Sequence, residues 1–539
     1  NFGINMIDVL IIGSGIAGLT AALNAKKNGS NVLVVSKTYP THSQSVQAQG
    51  GINAVLYEDD DSVDIHTQDT YNASFKLANK DTIKFMCENA KETIYWLDSI
   101  GVPFNRDKDN RIAQRKFGGT QKIRTCYSSD YTGLKILHTL YDQCIKEGID
   151  FKNEHLALNL IIEDKICKGI TALDIQIGEI KEFLSKTTII ASGGYAGIYY
   201  NHSTNSYSNT ADGINIAYKA GCELSNMEFV QFHPTTLENS NILISESARG
   251  EGGHLVDINE KRFIDELKPR DEVSRAIYEK IKIGEKVFLD LRHLGLDKIK
   301  ELMPQERNLA YEFSNIKIEE EILPITPAAH YSMGGIKTDK DTKTNISNLY
   351  ACGECAQAYI HGANRLGGNS LLEIVTFGKV AGLNASIQSN KVNEFDISNS
   401  LQYKEDLIDK ENVYSLPNIE NFYKYKEILG DTLFENLGLF RNEDKMNLLI
   451  NELYEIKNKL PKMGITDKSI EYNKNLVEFI EFRNILDIAI ITTLCAINRK
   501  ESRGGHYRTD YPNTDDSYEK CSKVYKINKN SNIEFEDIK

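Results

Sequence analysis

Apolar positions are gathered into short continuous runs near the start of the chain and spread into a helical rhythm toward its end. The first run, IDVLII at 7–12, is rich in β-branched residues and leads directly into Gly13-Ser14-Gly15-Ile16-Ala17-Gly18. An alanine-rich stretch follows to Lys27, Gly29 stops it, and NVLVVS at 31–36 forms a second continuous run. Strand, glycine turn, helix and strand in this order predict a βαβ unit. TTIIASGG at 187–194 and NLYACGE at 348–354 read as later strands of the same sheet. Between 228 and 335 the βαβ rhythm is lost, which predicts an inserted domain. From about residue 390, Lys, Glu, Asn, Ile and Leu recur at helical spacing, as at 445–460 and 475–498, and a polar tail follows Pro512. The expected class is α/β: a Rossmann-like domain at 1–228 and 337–390, an α+β insertion at 229–336, a helical domain at 391–500 and a tail at 501–539.

Composition narrows the picture in a few places. A chain of 539 residues exceeds what one hydrophobic core serves, in keeping with several domains. The net charge of −13 argues against a general nucleic-acid binder. No uninterrupted apolar run reaches the ~18 residues of a membrane span; the best candidate, 485–497, contains Asp487 and reads as a buried helix. No signal peptide is visible ahead of the first strand; the sequence starts at Asn1 with Met6 just before that strand, which leaves an upstream segment open. Nine scattered cysteines suit a reducing compartment. Cys352 and Cys355 form a CxxC with no second pair at zinc-site spacing, so a structural reading is preferred and no metal site is expected. The acidic run 59–61 reads as a solvated loop.

The glycine turn has the spacing GxGxxG at the place in a βαβ unit where a dinucleotide is bound. Gly13 permits the tight turn, Gly15 lets backbone approach a pyrophosphate, and Gly18 lets helix and strand pack closely. The helix N-terminus adds positive potential. The second strand ends in Ser36-Lys37, without the acid expected to hold an adenosine ribose.

Further motifs carry more information together than any one alone: SQSVQAQGGINA at 43–54, RKFGGTQ at 115–121, QFHPTT at 231–236, SESARGEGG at 245–253 and PRDEVSRA at 269–276. HYSMGGI at 330–336, HGANRLGGNSLLE at 361–373 and ESRGGHYRTDYP at 501–512 complete the series. In this order they resemble the flavoprotein subunits of the succinate dehydrogenase/fumarate reductase family, whose relatives include L-aspartate oxidase. The resemblance implies FAD held by Gly13, Gly15, Gly18, Ser36, Lys37, Ser43, Gly50, Gly51, Asp212, Glu354, Ser370 and Leu371, with the insertion acting as a capping domain. It implies a dicarboxylate, fumarate or succinate, bound by His233, Ser245, His330 and Arg365 beside Phe117. Arg270 would be the proton donor, supplied through Glu246 and Arg249. Spacing adds that Glu246 and Arg249, three apart, share a face if their segment is helical.

Two departures from the family pattern shape the expectation. Gln44 stands where many members carry the histidine that bonds FAD covalently, so non-covalent FAD is expected; His42 lies two residues earlier. Ser245 replaces the usual threonine and keeps the hydroxyl. Phe117 lies where the oxidase presents a glutamate to its substrate's amino group, which makes L-aspartate oxidase the second choice. A non-catalytic flavin-binding subunit is a third reading, opposed by the intact Glu246, Arg249, Arg270 and Arg365. The chain has no haem-attachment CxxCH and no iron–sulfur cysteine cluster, so the expected partner is an iron–sulfur electron-transfer subunit, membrane-anchored or otherwise, or a diffusible donor. The expected location is cytoplasmic, free or peripheral on the inner membrane's cytoplasmic face.

Overall fold

The computed structural model describes residues 6–395, 397, 399–527 and 530–538. Its organising feature is a sheet whose first strand, Ile7–Ile12, pairs parallel with Val32–Val35 on one side and with the far half of Glu179–Ile190 on the other. Ile12 lies opposite both Val35 and Ile190, so three strand ends stop level with the glycine turn. Asp150–Lys152 and Leu349–Ala351 extend the parallel sheet. Burial on both faces explains why these strands read as continuous apolar runs in the sequence.

Glu179–Ile190 is longer than the apolar run at its end. Its first half, 179–184, pairs antiparallel with Ile166–Asp174, which pairs antiparallel with His155–Glu163. Only the last part of this meander was legible as a strand, because its outer positions are half-exposed and polar.

The segment at 230–332 forms a four-stranded antiparallel sheet in the order Val230–Leu237, Leu323–Ser332, Val287–Asp290, His254–Val256. Helices Arg270–Lys282 and Pro304–Ser314 pack with it around a core of its own that includes Leu237, Leu255, Val273, Ile277, Leu289 and Ile325. Four long helices follow: Leu401–Ser415, Phe422–Leu437, Glu443–Lys459 and Lys474–Asn498. Asn442 and Asn473 start the last two by accepting from the backbone N–H of Lys445 and Leu476. Among the described residues no helix is long and apolar enough to cross a membrane.

Two expectations change. The segment after Pro512 is not a trailing coil, since Cys521–Ile527 pairs with Asn530–Glu536 and with Leu224–Ser225. Cys521 and Val524 are fully buried, and the polar character of the hairpin comes from its outer positions. Asp61 is also not solvated: it is buried and receives two hydrogen bonds from Arg124, at 2.8 and 2.9 Å. His506 is buried, set between Arg441 Nη1 at 2.8 Å and the Arg499 carbonyl at 3.0 Å.

Candidate active site

A single continuous cavity runs from the glycine turn to the four-stranded sheet. Its lining includes Gly13, Gly15, Ser36, Lys37, Ser43, Gly50, Gly51, Asp212, Glu354, Ser370 and Leu371, together with Phe117, His233, Ser245, Glu246, Arg270, His330 and Arg365. Of the residues singled out in the sequence, Gly18 and Arg249 are not on its wall. Gly18 acts one layer back: a Cβ there would lie 2.0 Å from the Gly13 carbonyl oxygen, so only glycine lets the helix Ile16–Lys27 start this close to the strand. Gly13 has φ +107°, a conformation that L side chains rarely adopt.

The nucleotide side is polar but not acidic at the strand end. Ser14 Oγ donates to Ser36 Oγ at 2.9 Å. Lys37 Nζ donates to Asp212 and Glu481, both at 2.6 Å, and to Thr210 at 2.7 Å. Burial alone would lower the Lys37 pKa, but the two carboxylates outweigh it and hold the ammonium above the ordinary lysine range. Lys37 is thus held by two acids from elsewhere in the chain, and Glu481, on the last long helix, carries no sequence signal. The buried hydroxyls of Ser43 and Ser192 line the cavity without a hydrogen bond among the described residues. Bare glycine backbone and spare hydroxyls suit a dinucleotide with a polyhydroxyl chain, and FAD fits this donor set.

Around the second group, positive charge is concentrated out of water. Ser245 N-caps the short helix Glu246–Gly250, which puts Glu246 and Arg249 one turn apart on that helix. Arg270 opens the helix Arg270–Lys282 after Pro269, and its Nε and Nη2 both donate to Glu246 Oε2, at 2.8 and 2.5 Å. The remaining Nη1 donates to Gln231 Oε1 at 3.1 Å, and Arg365 Nη2 donates to the same oxygen at 3.2 Å. Gln231 itself donates to the Arg365 carbonyl at 2.8 Å, so it spaces the two guanidinium groups. Nothing in the charge pattern points to this neutral residue, although it lies inside the QFHPTT motif. Arg365 lies over the Tyr331 ring, 4.2 Å from its centroid.

Burial would raise the Glu246 pKa, yet Arg270 and Arg249 pull it below the ordinary carboxylate range. Glu246 also accepts from the Gly118 backbone N–H at 2.9 Å. Burial, reinforced by Arg270, lowers Arg365 to about 10. Burial likewise lowers Arg249 to about 10. Arg249 Nη1 donates to the Glu266 carbonyl at 2.7 Å, and its Nε and Nη2 make no hydrogen bond among the described residues. His233 and His330 stand edge to face with centroids 5.0 Å apart. Burial, then the nearby arginines, push both well below the usual histidine range, so both are neutral at pH 7. His330 Nδ1 is 2.8 Å from the Thr204 hydroxyl.

Gln44 is tied at both ends of its amide, donating to Gln47 at 2.9 Å and accepting from the Ser206 N–H at 2.8 Å. His42 is exposed at the end of the short turn Pro40–His42 and does not line the cavity.

The family described as FAD binding domain matches residues 8–371, and the family described as fumarate reductase flavoprotein C-term matches residues 426–539. The 8-methylmenaquinol:fumarate reductase flavoprotein subunit of Wolinella succinogenes is 38% identical, covering 96% of this chain and 87% of the relative. The succinate dehydrogenase flavoprotein subunit of Rickettsia conorii is 37% identical over 94% of this chain and 91% of the relative. A solved structure of the E. coli quinol fumarate reductase FrdA superimposes with a TM-score of 0.94 at 32% identity, covering 99% of this chain and 97% of the other. The chain belongs to the succinate dehydrogenase/fumarate reductase flavoprotein family.

Proposed function

We propose that this protein is an FAD-dependent oxidoreductase that interconverts fumarate and succinate. The observation that carries the reading is the convergence of Arg270, Arg365, His233, His330 and Ser245 on one buried wall of a cavity that also contains the dinucleotide turn. When bound, FAD supplies a hydride donor or acceptor at flavin N5. Gly13, Gly15, Ser36, Lys37, Ser43, Gly50, Gly51, Asp212, Glu354, Ser370 and Leu371 would hold it, with Gly18 behind them.

A dianion in this cavity needs cations whose donors are not all spent. Arg365 meets that need: its Nε makes no hydrogen bond among the described residues, and its Nη2 makes only a long one. A guanidinium so held can grip a carboxylate with two parallel donors. His233 and His330, being neutral, act as hydrogen-bond donors rather than countercharges. Ser245 adds a hydroxyl. Phe117 adds an apolar wall that excludes water and strengthens every charge interaction within.

Reduction of the alkene also needs a proton at the carbon next to the one that receives hydride. Arg270 is assigned that role, with Glu246 resupplying it and Arg249 behind Glu246. The two bonds to Glu246 fix the direction of the Arg270 guanidinium. A buried arginine lowered to about 10, as Arg249 is, parts with a proton more readily than a solvated one.

An L-aspartate oxidase would need a countercharge for the substrate ammonium near Phe117; that residue is buried and apolar, and Glu246 is engaged by Arg270. A non-catalytic flavin-binding subunit would not need Glu246, Arg270 and Arg365 intact on the cavity wall with Arg249 behind them. FAD is proposed to be non-covalent, because Gln44 cannot form the bond and His42 lies off the cavity wall. The electron partner is proposed to be an iron–sulfur subunit, since the relatives are named flavoprotein subunits. Cytoplasmic placement, free or peripheral on the inner membrane, and the domain boundaries given above belong to the same proposal. Anaerobic turnover with reduced dye and fumarate, beside an oxygen-electrode assay with L-aspartate, tests the reading. Aspartate oxidation that outpaces fumarate reduction would overturn it.

A further inference from the structure

Behind Ser245 lies a second pair of carboxyl groups that the proposed chemistry does not use. Glu306, on the helix Pro304–Ser314, and Asp130, in the loop before the helix Thr132–Lys146, are both fully buried. Glu306 Oε1 accepts from the Ser245 backbone N–H at 2.9 Å and lies 3.3 Å from the Ser247 hydroxyl. That hydroxyl is also 2.9 Å from Ser245 Oγ, and the Ser247 N–H donates to Ser245 Oγ at 3.1 Å. Asp130 Oδ2 accepts from the Glu306 backbone N–H at 3.0 Å, within the first turn of the Pro304–Ser314 helix. Ser129 Oγ donates to the Glu301 carbonyl at 3.0 Å next door. The other carboxyl oxygens, Glu306 Oε2 and Asp130 Oδ1, are buried without a hydrogen bond among the described residues.

We infer that Glu306 and Asp130 form a protonation-dependent clasp that positions Ser245 for the dicarboxylate by joining the 230–332 segment to the loop at 128–131. The inference rests on the assignment of Ser245 to substrate binding. Two like charges in one dry site repel, so the clasp is tight only while the pair keeps one proton. The charged group facing both carboxyls is Arg115, which stacks on Tyr127 and is also influenced by Glu251. Tyr131 is the other titratable neighbour of Asp130. Burial and mutual repulsion raise Glu306 to about 8, and burial raises Asp130 to about 6. Between these values the pair holds one proton. As pH climbs past about 8 the second charge appears, the clasp loosens and Ser245 loses its fixed place.

The test measures kcat and KM for fumarate from pH 6 to about 9, below the range in which Arg365 would lose its own charge, with flavin content, in the unmodified protein and in Glu306→Gln, Glu306→Ala, Asp130→Asn and Ser245→Ala. The unmodified protein should show a rise in KM above about pH 8, with little change in kcat. Glu306→Gln keeps an oxygen to accept from Ser245 and cannot ionise, so its KM should stay near normal and the alkaline rise should vanish. Asp130→Asn should also abolish the rise. Glu306→Ala should raise KM roughly five- to tenfold at pH 7, the effect of one lost hydrogen bond, with kcat within about twofold. An alkaline rise that persists in Glu306→Gln overturns the clasp, even if Glu306→Ala fails to fold. If Ser245→Ala raises KM and Glu306→Ala does not, the clasp fails while the substrate assignment stands. An unchanged KM in Ser245→Ala removes both.

Discussion

Replacing Arg270 by lysine separates charge from aim. The buried Glu246, only 3% exposed, keeps a cation beside it. The variant therefore avoids the loss of about 3–5 kcal/mol that follows when one member of a buried ion pair is removed. What is lost is the fork: Arg270 holds Glu246 through two nitrogens and Gln231 through a third, and one ammonium cannot span both partners. A misaimed general acid forfeits a factor of about 10² to 10⁴, or about 2.7 to 5.5 kcal/mol on the barrier. Fumarate turnover with reduced dye should fall by that factor, while flavin content stays at the level of the unmodified protein. Arg365→Lys should behave differently, raising KM more than it lowers kcat, because gripping a carboxylate contributes to ground and transition states alike. Near-normal turnover of fully flavinated Arg270→Lys would remove Arg270 as proton donor.

Three further outcomes are expected. Acid precipitation should release yellow FAD into the supernatant, and colour retained in the pellet would mean that His42 or another residue forms a covalent link. Phe117→Glu should raise KM for fumarate by about tenfold or more through like-charge repulsion in a dry site, and an unchanged KM would place Phe117 away from the substrate. Burial holds the Glu354 carboxyl at about 7, against about 4.3 in an unfolded chain. Its unfolded form therefore ionises first, and stability from this group is lost as pH rises between those values. Glu354→Gln should raise the melting temperature of flavin-free protein more at pH 8 than at pH 5 and weaken FAD binding; equal shifts at both pH values would contradict the assignment.

The residues on the cavity wall were legible because they sit in short motifs whose neighbours also face the site. QFHPTT illustrates this, placing His233 on a buried strand, although its Gln231 was not singled out. Residues that act from outside such motifs were not legible. Glu481 meets Lys37 across 444 positions, and Glu306 meets Asp130 across 176, on elements whose local sequence is ordinary. Burial gives these acids their importance, and burial of a single charged side chain leaves no periodic trace. The C-terminal hairpin escaped for a related reason. Charged pairs such as Lys523 with Glu534 occupy its outer positions and mask the buried apolar ones, Cys521 and Val524.

The strand Glu179–Ile190, shared between the meander and the parallel sheet, also sets the order in which the chain can be assembled. Its meander half finds its partner within the preceding residues, a local pairing that closes early. Its other half is the neighbour that Ile7–Ile12 must await, and Leu349–Ala351 joins later still. During synthesis the first strand therefore has an unpaired, apolar edge until residue 190 has emerged. The glycine turn stays without its far wall until Glu354 and Ser370 arrive. The cavity wall that would hold the cofactor is thereby completed late in synthesis, well after the first strand has gained its second neighbour.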